Sequence, residues 1–148
     1  MADLAAAELS TEVTFELSIV NVDKPPLSSQ TVVERLQQFS AEQSVWLTRA
    51  ATFAAKSRLF GATTFIVGVD TVVRIADPRY YDDDPAERDR AIAELAAAGC
   101  RFLVFGRALG QRFQTLTELT LPAELQSICQ GVSEDVFRHD ISSTDLRP

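Results

Sequence analysis

Near the end of the chain, Ile141-Ser142-Ser143-Thr144-Asp145-Leu146-Arg147 sets three hydroxyls where a helix can begin, with an arginine one turn further on. Backbone N–H groups at a helix start have no partners inside the helix, and together with the helix dipole they favour an anion. The guanidinium of Arg147 can fork a phosphate with two parallel hydrogen bonds. The same residues also describe an ordinary Ser/Thr cap followed by a solvated arginine, and spacing alone favours that cap. Ser142, Ser143, Thr144 and Arg147 are the candidate phosphate ligands.

Three further groups fall where expected strands end, which is where a parallel sheet binds its ligands. They are Asn21-Val22-Asp23-Lys24, Gly68-Val69-Asp70-Thr71 and Gly106-Arg107. A glycine there lets a ligand approach the backbone closely. Asp70 beside Gly68 can accept hydrogen bonds from ribose hydroxyls, or it can cap a helix that starts at Thr71, and both can hold. The run Asp82-Asp83-Asp84 is explained by helix capping and solvation rather than by a metal. His139, the one histidine, cannot build a zinc site with two cysteines so distant in sequence, Cys100 and Cys129. The sequence contains no GxSxG, no Walker-type loop and no GxGxxG.

The chain has 148 residues, one domain's length, of which 46% are hydrophobic and 24% charged. That is enough apolar material for a core, and we expect a single domain over residues 1–148. With 14 basic against 21 acidic residues the formal charge is −7. Such a surface repels a polyanion, so nucleic acid is not an expected partner. A small anionic ligand is compatible with it, because local donors can outweigh net charge. No stretch reaches transmembrane length and no basic or long apolar leader opens the chain, so a cytoplasmic protein with free, packed thiols is expected.

The elements that would position these residues follow from local signals. Ala2 to Leu9 reads as a short helix. Val13, Phe15, Leu17 and Ile19 alternate with polar residues as in a half-covered strand. Ser28 or Ser29 can cap a helix carrying Val32, Val33, Leu36 and Phe39. Ser44 to Thr48 reads as a strand, Ala50 to Phe60 as a helix stopped by Gly61, and Thr63 to Val69 as a strand covered on both faces. A short helix is expected over Thr71 to Ile75. Asp84, Pro85 and Glu87 form a strong helix start, and Gly99 lies just past its end. Arg101 to Phe105 is a further apolar strand closed by Gly106. Gln114 to Leu119 is ambiguous, and Pro122 to Cys129 reads as a helix. The alternation predicts an α/β fold with a mainly parallel, Rossmann-like sheet and flanking helices.

Several segments together resemble a known family: FIVGVDT at 65–71, DPRYY at 77–81, GCRFLVFGR at 99–107 and FRHDISSTDLR at 137–147. They look like nucleotidyltransferases of the cytidylyltransferase-like superfamily, in the branch similar to nicotinamide mononucleotide adenylyltransferase. ELSIVNVDKPPL at 16–27 and WLTRAATFAAKSRLF at 46–60 resemble that branch too. The resemblance implies a five-stranded parallel sheet in the order 3-2-1-4-5. It implies in-line attack by a nucleotide phosphate on the α-phosphate of ATP with release of pyrophosphate, usually with Mg2+. By the same resemblance Ser142, Ser143, Thr144 and Arg147 hold ATP phosphates, and Gly68, Asp70, Gly106 and Arg107 belong to the nucleotide site. Lys24, Trp46, Thr48, Arg49 and Lys56 lie near the second substrate.

One part of the pattern is missing. The family opens with a strand and a GxFxPxHxGH loop, whose histidines stabilise the transferring phosphate, and neither occurs in this sequence. The absent strand is the middle one of the family's sheet, so the chain reads as truncated at its N-terminus relative to the family. Removing it deprives two neighbours of their hydrogen-bonding partner. They must slide together, stay open, or pair with another chain, and a homo-oligomer is one outcome. The functional expectation is adenylyl transfer from ATP to a nucleotide, with a non-catalytic nucleotide-binding module as the alternative.

Overall fold

A computed structural model describes residues 1–109 and 112–137 of the chain. His139 and the expected phosphate ligands Ser142, Ser143, Thr144 and Arg147 lie outside the described residues.

Local signals set most element boundaries. Helix α1 spans Ala2–Leu9 and ends at Ser10 in the left-handed conformation. Strand β1, Phe15–Ser18, is shorter than the alternating pattern, although the Ile19 N–H still donates to Thr48 O at 2.8 Å. Helix α2, Ser29–Leu36, is capped by the Ser28 hydroxyl, which accepts from the Thr31 N–H. Strand β2 is Val45–Thr48. Helix α3, Phe53–Phe60, starts later than expected because Thr52 is its cap, accepting from the Ala55 N–H at 3.1 Å. Strand β3 is Thr64–Gly68 and runs directly into α4, Val69–Ala76. Asp70 therefore sits in the first turn of α4 and does not cap a helix beginning at Thr71; its side chain is used elsewhere.

A 3-10 turn at Pro78–Tyr81 leads to α5, Pro85–Ala97. Asp84 caps α5 by accepting from the Ala86 N–H at 2.8 Å, and Gly99 follows its end at φ +75°. Asp82 and Asp83 take left-handed conformations that aspartate tolerates well. Strand β4, Arg101–Phe105, has the expected bounds. The ambiguous stretch resolves into a hairpin of β5, Arg107–Leu109, and β6, Arg112–Gln114, followed by a Thr115/Glu118 capping box. The last expected helix is cut short: α6 is Ala123–Ser127, and Cys129–Gly131 forms strand β7. Pairing with β4 wins over the helical pattern there, through Phe102 N–H to Ile128 O at 2.8 Å.

The result is a mixed α/β fold with mostly parallel sheets and flanking helices. The strands do not form one sheet. β1 and β2 pair in parallel, β3, β4 and β7 form a second parallel sheet with β4 in the middle, and β5–β6 is antiparallel. No ladder joins β1 to β3, so each keeps one edge unpaired among the described residues. Helix α3 straps the two sheets together. Lys56 reaches Glu16 on β1 and Phe60 meets Trp46 on β2, while Phe53 packs edge-on against Phe65 of β3 and Phe102 of β4 at 5.1 and 5.3 Å.

The core is uneven. Under α4 and α5 lie Val67, Val69, Val72, Ile92, Leu95, Phe102 and Val104. On the opposite face of β3–β4, Ala5 of α1 and Phe137 close over Leu103 and Phe105, with Val13 and Ile66 at the margin. From Ala6 to Leu47, by contrast, no residue is buried. Among the described residues no helix is long and apolar enough to cross a membrane.

Candidate functional site

The carboxyl ends of β3 and β4 stand side by side, since Gly68 and Phe105 are partners in the parallel register. The residues just past them are Asp70, raised on the first turn of α4, and Arg107, which opens β5. They meet: the Arg107 guanidinium donates to Asp70 Oδ2 at 2.7 Å. Neither side chain is fully buried, with 22% of Arg107 and 39% of Asp70 exposed, so the pair remains accessible to a small molecule. In half-solvated surroundings such a pair contributes little to stability, so its worth is in orienting the carboxylate.

The two glycines at these strand ends do different things. At Gly68 a Cβ would stand 2.6 Å from Asp70 Oδ1, so the missing side chain is what lets the carboxylate lean back over the strand end. At Gly106 a Cβ would meet the Phe113 ring at 2.4 Å and Gln114 O at 2.9 Å. The close approach at Gly106 is thus made by the chain's own hairpin. Hairpin packing is sufficient reason for that glycine, which the sequence offered for ligand approach.

A second group gathers at β1 and β2. Glu16 accepts from Lys56 Nζ at 2.7 Å and, through its other oxygen, from the Thr48 hydroxyl in a very short contact. Thr48 Oγ1 in turn accepts from the Ala50 N–H at 3.3 Å. The Ser18 hydroxyl contacts Ala50 O at 2.8 Å and Val20 O at 2.7 Å. Lys56 also lies 5.2 Å from the centre of the Phe53 ring. Thr48 and Lys56, expected near a second substrate, are therefore brought together, and the organiser is Glu16. Glu16 was legible only as a polar position in an alternating strand; its partners lie 32 and 40 residues away. Lys24 and Arg49 are exposed at the carboxyl ends of β1 and β2. Trp46 is exposed on β2 with its edge toward Phe60 at 5.9 Å.

A groove of about 360 Å³ runs between α3 and α5, lined by Phe53, Arg58, Tyr81, Arg90 and Glu94 among others. No candidate residue lines it. Its guanidiniums are held within the protein, Arg58 by Glu94 and Arg90 by Glu87, so they offer little to an incoming anion. The hydrogen bonds from Arg58 hold the Glu94 carboxyl below its ordinary range. Cys100 and Cys129 are free thiols; burial pushes Cys129 up from 9.0 to about 11, the reverse of what the electropositive setting of a reactive cysteine does.

Among the described residues no group of three or more His, Cys, Asp or Glu could hold a metal. Compared with protein-family models, curated proteins and solved structures, the chain matches none.

Proposed function

We propose that this chain is a cytoplasmic, Rossmann-like nucleotide-binding domain of the nucleotidyltransferase kind, which holds ATP at the carboxyl ends of β3 and β4. The observation that carries the reading is the Asp70–Arg107 pair at adjacent strand ends, with Gly68 leaving room for the carboxylate. Asp70 keeps Oδ1 for ribose hydroxyls while Arg107 fixes Oδ2. Phe137 supports the phosphate half of the reading. Its ring packs edge-on against Phe105, the last residue of β4, at 4.8 Å. Ser142 follows five residues later in the sequence.

In adenylyl transfer an oxygen of the acceptor phosphate attacks the α-phosphorus of ATP and pyrophosphate leaves. Such chemistry needs no protein nucleophile; positioning and charge stabilisation carry it. In this reading Arg147 and the hydroxyls of Ser142, Ser143 and Thr144 hold the phosphates. Glu16 orients Lys56 and Thr48 toward a second nucleotide such as nicotinamide mononucleotide, with Lys24, Trp46 and Arg49 nearby. Mg2+ would neutralise phosphate charge.

A second reading is binding without turnover, favoured by one feature of the sequence given: His139 is its sole histidine, where the resembled family stabilises the transferring phosphate with several. Calorimetry with ATP tests binding, and pyrophosphate release with nicotinamide mononucleotide separates the two readings. We expect ATP binding that weakens about tenfold or more in Arg147→Ala, as loss of a charge-assisted phosphate contact implies. No binding heat in the intact chain would sink both readings.

A further inference from the structure

The β1–α2–β2 unit, Phe15 to Thr48, is fixed at its two ends and lightly held between them. Its strands pair with each other and with no strand outside the unit among the described residues. Helix α2 buries none of its residues, and within the unit only Thr48 is buried. Before β1 the chain is pinned by Val13, which packs against the cluster of Ala5, Leu103 and Phe105. After β2 it enters α3. That helix is anchored elsewhere, by Phe53 against Phe65 and Phe102 and by the Arg58–Glu94 bridge to α5. Both ends thus belong to the well-packed body around β3, β4 and β7, while the strands between them rest on α3.

Two side chains of α3 reach those strands. Phe60 meets Trp46, but Trp46 stays 59% exposed, so little is hidden there. Lys56 meets Glu16 in an enclosed pair, the two side chains only 15% and 20% exposed. Glu16 lies on β1, yet its other oxygen accepts from the Thr48 hydroxyl on β2. One carboxylate therefore ties both strands to the helix. Removing one partner of an enclosed ion pair leaves the other charge uncompensated, which is costly. The pair parts when water reaches both groups, and that requires the unit to lift off α3. A two-stranded sheet with one exposed helix then has no core of its own to keep its order. Regions with few buried contacts open as cooperative pieces, below the free energy of global unfolding.

We infer that Glu16–Lys56 is a latch, and that the β1–α2–β2 unit opens from α3 as one piece while the β3–β4–β7 body stays folded. Opening separates Glu16 and Thr48 from Lys56, so the polar cluster exists only in the closed form. A ligand that needs the whole cluster draws the unit shut, and binding at this end is coupled to order from Phe15 to Thr48. The device stands on packing and charge alone and holds whether or not that ligand is a nucleotide.

Amide hydrogen exchange of the full chain, followed by NMR across low urea concentrations, tests this. The Phe15 and Ile19 amides, bonded to Ser44 O and Thr48 O, report on the unit. Those of Phe102 and Val132, bonded to Ile128 O and Val104 O, report on the body. We expect Phe15 and Ile19 to share one urea-dependent rate, at least a hundredfold faster than Phe102 and Val132. Lys56→Met, which keeps an unbranched side chain beside Phe53, should raise the first two rates at least tenfold and leave the second two unchanged. Glu16→Gln should act on the same two amides in the same direction. Should a variant fail to fold, the unmodified chain decides. Phe15 and Ile19 exchanging at the rates of Phe102 and Val132, or fraying separately without urea dependence, overturns the proposal. So does a folded Lys56→Met that speeds all four amides alike, or none.

Discussion

The two ends of the molecule are made of the same kind of unit and hold together differently. From Thr64 to Phe137, a parallel sheet is covered on one face by α4 and α5 and on the other by α1 and Phe137, and Phe102, Leu103, Val104 and Phe105 are all buried. From Phe15 to Thr48, a strand, a crossover helix and a parallel strand repeat the pattern, but only Thr48 is buried. Two parallel strands with one thinly packed helix cannot sustain themselves. This unit borrows its order from α3, through Lys56–Glu16 and Phe60–Trp46. The Asp70–Arg107 site stands on the rigid unit and the Glu16 cluster on the borrowed one.

The contrast can be broken most forcefully in the core. Phe102→Ala should cost about 3–5 kcal/mol, because it opens a cavity beneath Phe53 and Phe65. Leu17→Ala on β1 should cost about 1 kcal/mol. Urea titrations of the two variants measure the difference, and equal losses would erase the distinction between the units. The two glycines sharpen it next. Gly106→Ala drives a methyl into the Phe113 ring and Gln114 O, which should cost about 1–3 kcal/mol of stability. Gly68→Ala meets only the movable Asp70 carboxylate, so thermal unfolding should shift little while ATP affinity falls. A reversed pattern would move the functional glycine to β4.

The smallest expected effect is on pH dependence. Cys129 lies in the well-covered unit, and burial raises its thiol from 9.0 to about 11. In the unfolded chain that thiol ionises first, so the folded form holds the extra proton between those values. Stability should therefore be full below about pH 9 and decline as the pH rises toward 11. Chemical denaturation of the intact chain and Cys129→Ala across that range reads this directly. The slope should be shallower in the variant.

What the sequence disclosed follows the same division. Signals carried within a few residues were legible: the Asp84–Pro85 helix start, the end at Gly99, the run Arg101–Phe105 and the Ser28 cap. Features that depend on distant partners were not. Cys129 looks helical until β4 offers it a ladder, and the hairpin Arg107–Gln114 exists because Phe113 can sit over Gly106. Asp70 and Arg107 were each visible as candidates, but their meeting across 37 residues was not, and Glu16 carried no local sign of its role. Of the three outcomes expected for the two strand edges, the described residues show open edges at β1 and β3.

Amide hydrogen exchange with and without saturating ATP tests the central claim most directly. The account predicts new protection at Gly68 to Thr71 and at Gly106 to Arg107, with little change across α5 and β7. Binding that protects neither strand end, or protects the groove between α3 and α5 instead, would contradict it.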